Sequence, residues 1–256
     1  MGSEYFNMVD NNIIVIDIET VPDKTHIENS VCKIMNMESF DEYVEYENQF
    51  VKEGKTWFPK PIFHKIVNIG MLFISINFNL KYLDFYGEDE QSILINFWEI
   101  FEKCNLPYIV SFNGKSFDMP VIVNNSFKYI ENFSDKALMG FHLYNDKSDK
   151  WENNRPNYLN RFSNYHIDIM DNFSNPKPSL IEVCTKYGIQ VKTEGHGSEI
   201  GNMSEEEIRK YCKEDVIATT KVFNKFAMAN FFNTEQYNAL KEKLELFENG
   251  EIEDDK

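Results

Sequence analysis

The chain has 256 residues, 42% of them hydrophobic, with 22 Phe and 13 Tyr, enough to bury the core of one large α/β domain. A formal net charge of −16 argues against a basic groove that grips long duplex by counterion release, though not against a site that handles a strand end through metal ions. Cys32, Cys104, Cys184 and Cys212 lack C-x-x-C spacing, which argues against a zinc site or disulfide framework, and with no signal peptide or membrane-length apolar run a reducing cytoplasm and no membrane partner are expected.

Residues 1–10 read as an N-terminal extension, with Met1, Gly2 and Ser3 in keeping with tag-derived residues; a single domain is expected over 11–232. Residues 12–18 form a buried strand, because Ile13, Ile14, Val15 and Ile16 run without a break. An excursion over 21–63 is too long for a plain loop and is expected to carry helical pieces beside a cleft. Residues 65–77 and 81–86 read as an antiparallel hairpin. Residues 89–103 are a helix with Ile93, Leu94, Phe97, Ile100 and Phe101 on one stripe. A buried strand over 107–112 leads through Asn113 and Gly114 into a helix over 117–130, with Pro120 near its first turn. Residues 131–162 are polar and read as an irregular insertion. A strand at 165–170 and a short helix at 179–187, stopped by Gly188, follow. Gly195, His196 and Gly197 mark a loop, and the capping box from Ser204 to Glu207 opens a long helix to about Ala229. Residues 233–256 are expected to be the end of that helix and a solvated acidic tail. This order predicts an α/β fold, a mixed sheet with helices on both faces.

Asp17 and Glu19 lie two residues apart at the end of the first strand, so both carboxylates point one way. Two carboxylates ~4 Å apart repel by roughly 4 kcal/mol at an effective dielectric of 20, and a divalent cation removes that repulsion. A solvated turn is the bland alternative, since D-x-E arises readily by chance in so acidic a chain. Asp118 falls in the first turn of a helix, where an acid also serves the helix dipole. The sheet order is expected to bring its strand beside the first. Tyr211 and Asp215 share one helical face with Ile208, Cys212, Thr219, Val222, Phe223 and Phe226, so Asp215 is an acid on an apolar stripe. A metal or a satisfied core hydrogen bond accounts for it.

Each element is common; together they are not. The stretches 15–22 (VIDIETVP), 63–67 (FHKIV), 108–118 (YIVSFNGKSFD), 166–171 (HIDIMD) and 211–215 (YCKED) resemble the DEDD superfamily of exonucleases, and most closely the predicted 3′–5′ exonucleases related to the proofreading domain of family B DNA polymerases. The resemblance implies a ribonuclease H-like mixed five-stranded sheet whose first three strands are antiparallel. It implies two divalent ions, Mg²⁺ or Mn²⁺. Asp17 would bridge them, Glu19 and Asp118 would complete their shells, and Asp215 would hold the ion that binds the attacking water. Tyr211 would orient that water. The tyrosine branch is indicated because Lys210 stands where the histidine branch has its His.

The implied activity is 3′–5′ hydrolysis at the 3′ end of single-stranded DNA, releasing nucleoside 5′-monophosphates. An exoribonuclease or oligonucleotidase with the same site is the runner-up. A silent nucleic-acid-binding module and a metal-free acidic interaction domain are readings of a different class. Ile18, Thr20, Phe112, Asn113 and Phe117 are candidates for substrate contact. Asp168 reads as structural, because the acid set is complete without it. Trp57 and Phe58 are candidates for base stacking or for core packing, and Arg161 for a phosphate contact or the surface. His166 and His196 lack metal-ligand spacing.

Overall fold

The first strand, β1 (Ile13–Pro22), runs six residues beyond the apolar stretch that starts it. The computed structural model describes residues 12–52, 57–87, 89–146, 157–160, 165–190 and 197–251; the N-terminal extension, Arg161, Gly195, His196 and residues 252–256 lie outside the described residues. After β1 the excursion folds as α1 (Lys24–Ile27), a π-helical turn, α2 (Lys33–Met35) and α3 (Phe40–Asn48). These pieces close a small core of Ile27, Cys32, Phe40 and Tyr43, against which Trp57 packs. Trp57 meets Tyr43 edge-on with ring centroids 5.4 Å apart, so of its two readings the packing one describes it.

The sheet continues through β2 (His64–Ile74), β3 (Leu80–Tyr86), β4 (Tyr108–Ser111) and β5 (His166–Asp168). Its order is β3-β2-β1-β4-β5, with the first three strands antiparallel and β4 and β5 added in parallel, as the mixed five-stranded sheet requires. Strand β5 is shorter than the predicted 165–170, because Ile169–Asn172 turns into a 3-10 helix.

Between the strands lie α4 (Glu90–Lys103), α5 (Asp118–Tyr129), α6 (Asp135–Asn145), α7 (Leu180–Lys186), α8 (Glu205–Asn230) and α9 (Thr234–Glu248). Helices α7, α8 and α9 share a core with Val15, Leu72 and Val110. Helices α4, α5 and α6 share another with Ile14, Ile16, Ile69 and Met71. The central strand thus feeds alternate side chains to two cores, each fully buried aliphatic contributing about 1.5–3 kcal/mol.

Two expectations fail. The stretch 131–162 is not wholly irregular: α6 occupies part of it, capped by Ser134, and buries Ala137, Phe141 and Tyr144. Its apolar stripe is short and set among Lys, Asp and Asn, which hides the period. Helix α6 crosses α4 at Gly140, where a Cβ would run into the carbonyl oxygen of Trp98 and lie 2.9 Å from its carbon. Of the segment 233–256, expected as a helix end and acidic tail, residues 234–248 form a separate helix. Phe231 and Phe232 leave the helical course, Asn233 caps a new helix through a capping box, and α9 buries Leu240, Leu244 and Phe247.

Strand β2 carries one extra residue, Val67. Glu19 pairs with Asn68 but Thr20 pairs with Ile66. This bulge reverses the alternation: Gly70, Leu72 and Ile74 face α8, whereas Ile66 and His64 turn toward α5. Strand β1 pairs with β4 only through Val15, and the two then part. The crevice so opened, at the carboxyl ends of parallel strands, is where an open sheet of this kind holds its site.

Candidate active site

Asp17 and Glu19 occupy the face of β1 that turns to α8, next to the parting of β1 and β4. The residue opposite Asp17 is Gly70. A Cβ there would lie 2.7 Å from the Cys212 sulfur and 2.8 Å from the Tyr82 hydroxyl oxygen, so glycine is what lets α8 seat against the strands. The Cys212 thiol then donates to the Asp17 carbonyl at 3.6 Å and to its carboxylate Oδ2 at 3.7 Å.

Asp118 arrives from α5. The turn before it needs a left-handed residue, and Asn113 supplies it at φ 72°. Gly114 closes on Ser111, where a Cβ would collide with the side chain. Asp168 locks this turn: its carboxylate accepts from the Asn113 N–H at 2.7 Å, the Lys115 N–H at 2.9 Å and the Met170 N–H at 3.0 Å. Its oxygens are engaged by the backbone, which is the structural role read for it. Replacing Asp168 by Ala leaves buried donors unpaired and is expected to cost about 3 kcal/mol in urea unfolding. An unchanged midpoint would remove it as the anchor of the Asp118 turn.

Asp215 and Tyr211 come from α8, one turn apart on the same face, and each of the two groups feels the other. The charges of Glu19, Asp118 and Asp215 act on Asp17, and those of Asp17, Glu19 and Asp215 on Tyr211, while the tight group of ligand atoms among the described residues is Asp17, Glu19 and Cys212. Asp17 lies well above the ordinary carboxylate range through burial first, then the charges of Glu19, Asp118 and Asp215. Burial and the charges of Asp215 and Asp118 raise Glu19 likewise. Asp118 is pushed up to about 7 by burial, against hydrogen bonds from its own amide and that of Ile18. Asp215 is pushed up to about 6 by burial, against the pull of the Tyr211 hydroxyl. Burial and the neighbouring acids raise the Tyr211 phenol too, so it stays protonated.

The acids fit a divalent ion. Glu19 is 4% exposed, and its Oε1 is buried without a hydrogen-bond partner. Asp17, Glu19 and Cys212 offer ligand atoms all within 4.8 Å of one another. Oxygen-rich donors suit hard ions, and a protonated thiol at the floor does not compete for them. In EDTA-treated protein these carboxyls, raised above their unfolded values, keep protons that the unfolded chain releases near pH 4. Stability from the protonated cluster is thus complete at low pH and is lost as pH rises through Asp215 and Asp118. The melting temperature is expected to fall from about pH 5 to about pH 8 more steeply than in Asp118→Asn, and parallel profiles would contradict the raised carboxyl.

The substrate candidates divide. Ile18 sends its side chain into the α4–α5 core, and only its amide reaches the site, at Asp118. Thr20 Oγ1 lies 2.9 Å from His64 Nδ1. Phe112 packs against the α8-side core, and Asn113 serves the turn. Phe117 stands among exposed and buried aromatic rings. His166 is a core histidine, 2.9 Å from Ser111 Oγ. Sequence reasoning gave no role to Gly70, Cys212 or His64; the signals were a glycine inside a strand, the place of Cys212 on the Asp215 stripe and that of His64 in the stretch 63–67.

A model of the family described as "Predicted 3'-5' exonuclease related to the exonuclease domain of PolB" matches residues 56–253. That stretch contains Asp118, Tyr211 and Asp215 and begins beyond Asp17 and Glu19. No curated protein matches the sequence. Among solved structures, the chain is similar to the "ExoI/SSB-Ct complex" at 12% identity and a TM-score of 0.46, over 91% of this chain and 44% of that one. It is similar to a family B DNA polymerase from the hyperthermophilic archaeon Pyrobaculum calidifontis at 13% identity and 0.48, over 85% and 24%. It is similar to a product-bound exonuclease I at 12% identity and 0.48, over 91% and 46%. The chain spans less than half the length of each. Among the described residues no helix is long and apolar enough to cross a membrane.

Proposed function

The chain belongs to the family of predicted 3′–5′ exonucleases related to the exonuclease domain of PolB, and on that premise we propose that it removes nucleoside 5′-monophosphates from the 3′ end of single-stranded DNA, using Asp17, Glu19, Asp118 and Asp215. Membership makes it a nuclease of the hydrolase class. The observation that carries the finer reading is the buried Oε1 of Glu19, an acceptor with no donor in a cluster of like charges. An arrangement that costly persists where a cation completes it.

The four acids would hold two divalent ions, Mg²⁺ or Mn²⁺, whose chemistry when bound is to stabilise the charge on the attacking and leaving oxygens. Asp17 would bridge the two ions in this scheme; the charges of Asp118 and Asp215 act on it and on Glu19 alike. The Ile18 amide restrains the Asp118 carboxylate. Tyr211 keeps its proton, so it orients the attacking water and does not deprotonate it.

The test is a time course on 5′-labelled single-stranded DNA and RNA of one sequence with Mg²⁺ or Mn²⁺. A ladder that shortens from the 3′ end of DNA is expected. Faster shortening of RNA transfers the reading to an exoribonuclease, and 5′ shortening or activity in EDTA overturns it. Tyr211→Phe removes only the hydroxyl and is expected to lower kcat by roughly 100-fold with KM little changed. A kcat within threefold of the natural chain would strip Tyr211 of its role.

A further inference from the structure

The last regular pair of β1 and β2 before the bulge at Val67 joins Glu19 to Asn68. Directly opposed residues of an antiparallel pair share one face of the sheet, with Cβ atoms roughly 4.5–5.5 Å apart. Two residues along β2, Gly70 opposes Asp17, and its face is the one toward Cys212 of α8. Asn68 and Glu19 therefore stand side by side on the face that carries the acids.

Asn68 is 0% exposed, and neither its Nδ2 nor its Oδ1 has a hydrogen-bond partner. Among the described residues it is the one buried carboxamide with both atoms unpaired. On the α5 side of β2 the contrast is Asn125, whose Nδ2 donates to the Glu90 carboxylate at 2.7 Å and to the His64 carbonyl at 2.9 Å. Glu90 in turn accepts from the Ile66 N–H at 2.7 Å. Buried polar groups that serve the fold are met in this way. An unmet carboxamide inside a strand is costly and poorly suited to the pleat.

Across the pair, Glu19 Oε1 is unpaired as well, an acceptor where Asn68 Nδ2 is a donor. The residue type matters too. Another acid here would add to the charges that already press on Glu19, and a lysine would take the place of a cation. A carboxamide restrains a carboxylate and leaves its charge for an ion.

We propose that Asn68 is a positioning residue of the acid cluster: its Nδ2 donates to the Glu19 carboxylate when that carboxylate binds a divalent ion, and its Oδ1 accepts from water that the ion retains. The inference rests on the metal-dependent nuclease reading and deepens it by adding a neutral group to the four acids.

The experiment measures Mn²⁺ binding to the full chain from the EPR signal of the free ion, beside the melting temperature in EDTA. Asn68→Val and Asn68→Thr give side chains of one shape that differ by a hydroxyl. Asn68→Val is expected to weaken Mn²⁺ binding about tenfold, while its melting temperature in EDTA stays level or rises because an unpaired buried amide has gone. Asn68→Thr keeps a donor and should bind Mn²⁺ within about threefold of the natural chain. In a Glu19→Gln background Asn68→Val should change Mn²⁺ affinity by less than about twofold, because the carboxylate it steers is absent. Mn²⁺ affinity equal in the natural chain and both variants overturns the proposal and leaves the nuclease intact; a fall in melting temperature alone would make Asn68 a packing residue. A tenfold loss that persists in the Glu19→Gln background also overturns it, since Asn68 would then act on something other than Glu19. The expected pattern in a protein that shortens no strand keeps Asn68 as the partner of Glu19 and removes the nuclease reading.

Discussion

Asp17→Asn is expected to abolish 3′ shortening and, in EDTA, to raise the melting temperature. Asp17 has three acidic neighbours whose charges reach it, and burial raises it further. An amide of the same shape keeps the packing against Cys212 and removes a group that repels Glu19, Asp118 and Asp215 wherever it ionises. Relief of about 1 kcal/mol of repulsion in a chain this size raises the melting temperature by roughly 2–4 °C. The same substitution takes away a central oxygen ligand, and a loss of at least 1,000-fold in hydrolysis is expected, equivalent to about 4 kcal/mol of transition-state stabilisation. Mn²⁺ should stabilise the natural chain against heat and leave the variant nearly unmoved. A variant that still cuts, or that responds to Mn²⁺ as the natural chain does, would take Asp17 out of the centre of the site.

The second large effect is on stability alone. Gly140→Ala puts a methyl group against the carbonyl of Trp98 and 3.3 Å from the Glu102 nitrogen. Both belong to the backbone of α4, so no rotamer change makes room and α6 has to move away. Trp98 is wholly buried beneath that contact and meets Phe141 of α6 edge-on at 5.2 Å. Overpacking of this kind costs about 3 kcal/mol, a fall of roughly 6–12 °C in melting temperature. Met139→Ala, at a neighbouring position that is 53% exposed, serves as the control with little change. Hydrolysis below the transition should survive in both, because α6 lies on the face away from Asp17 and Glu19. A shift under about 2 °C for Gly140→Ala would mean the crossing is looser than its geometry.

Much of the sheet was legible because its signals are local. The run from Ile13 to Ile16 marks a strand buried on both faces, and the alternation of Asp17 with Glu19 follows from the pleat. The Ser204 capping box marks the start of α8. What stayed hidden depends on pairing between distant segments. Helix α9 has Leu240, Leu244 and Phe247 on one side, but Glu and Lys crowd the rest and read as a solvated tail. Cys212 looked like one more apolar stripe residue until Gly70 admitted its sulfur to Asp17. Of the substrate candidates, Ile18 turns its side chain away from the acids and offers the site only its backbone. Its neighbours Asp17 and Glu19 take one face of the strand, which sends Ile18 to the other.

The extra residue at Val67 makes chain length, more than chemistry, the quantity β2 has to preserve. Val67 itself is half-exposed, and its side chain is open to exchange. Deleting it would restore unbroken alternation from residue 74 back to residue 64, and His64 and Ile66 would change sides together. An insertion or deletion here therefore rewires both margins of the crevice at once, whereas a substitution touches neither.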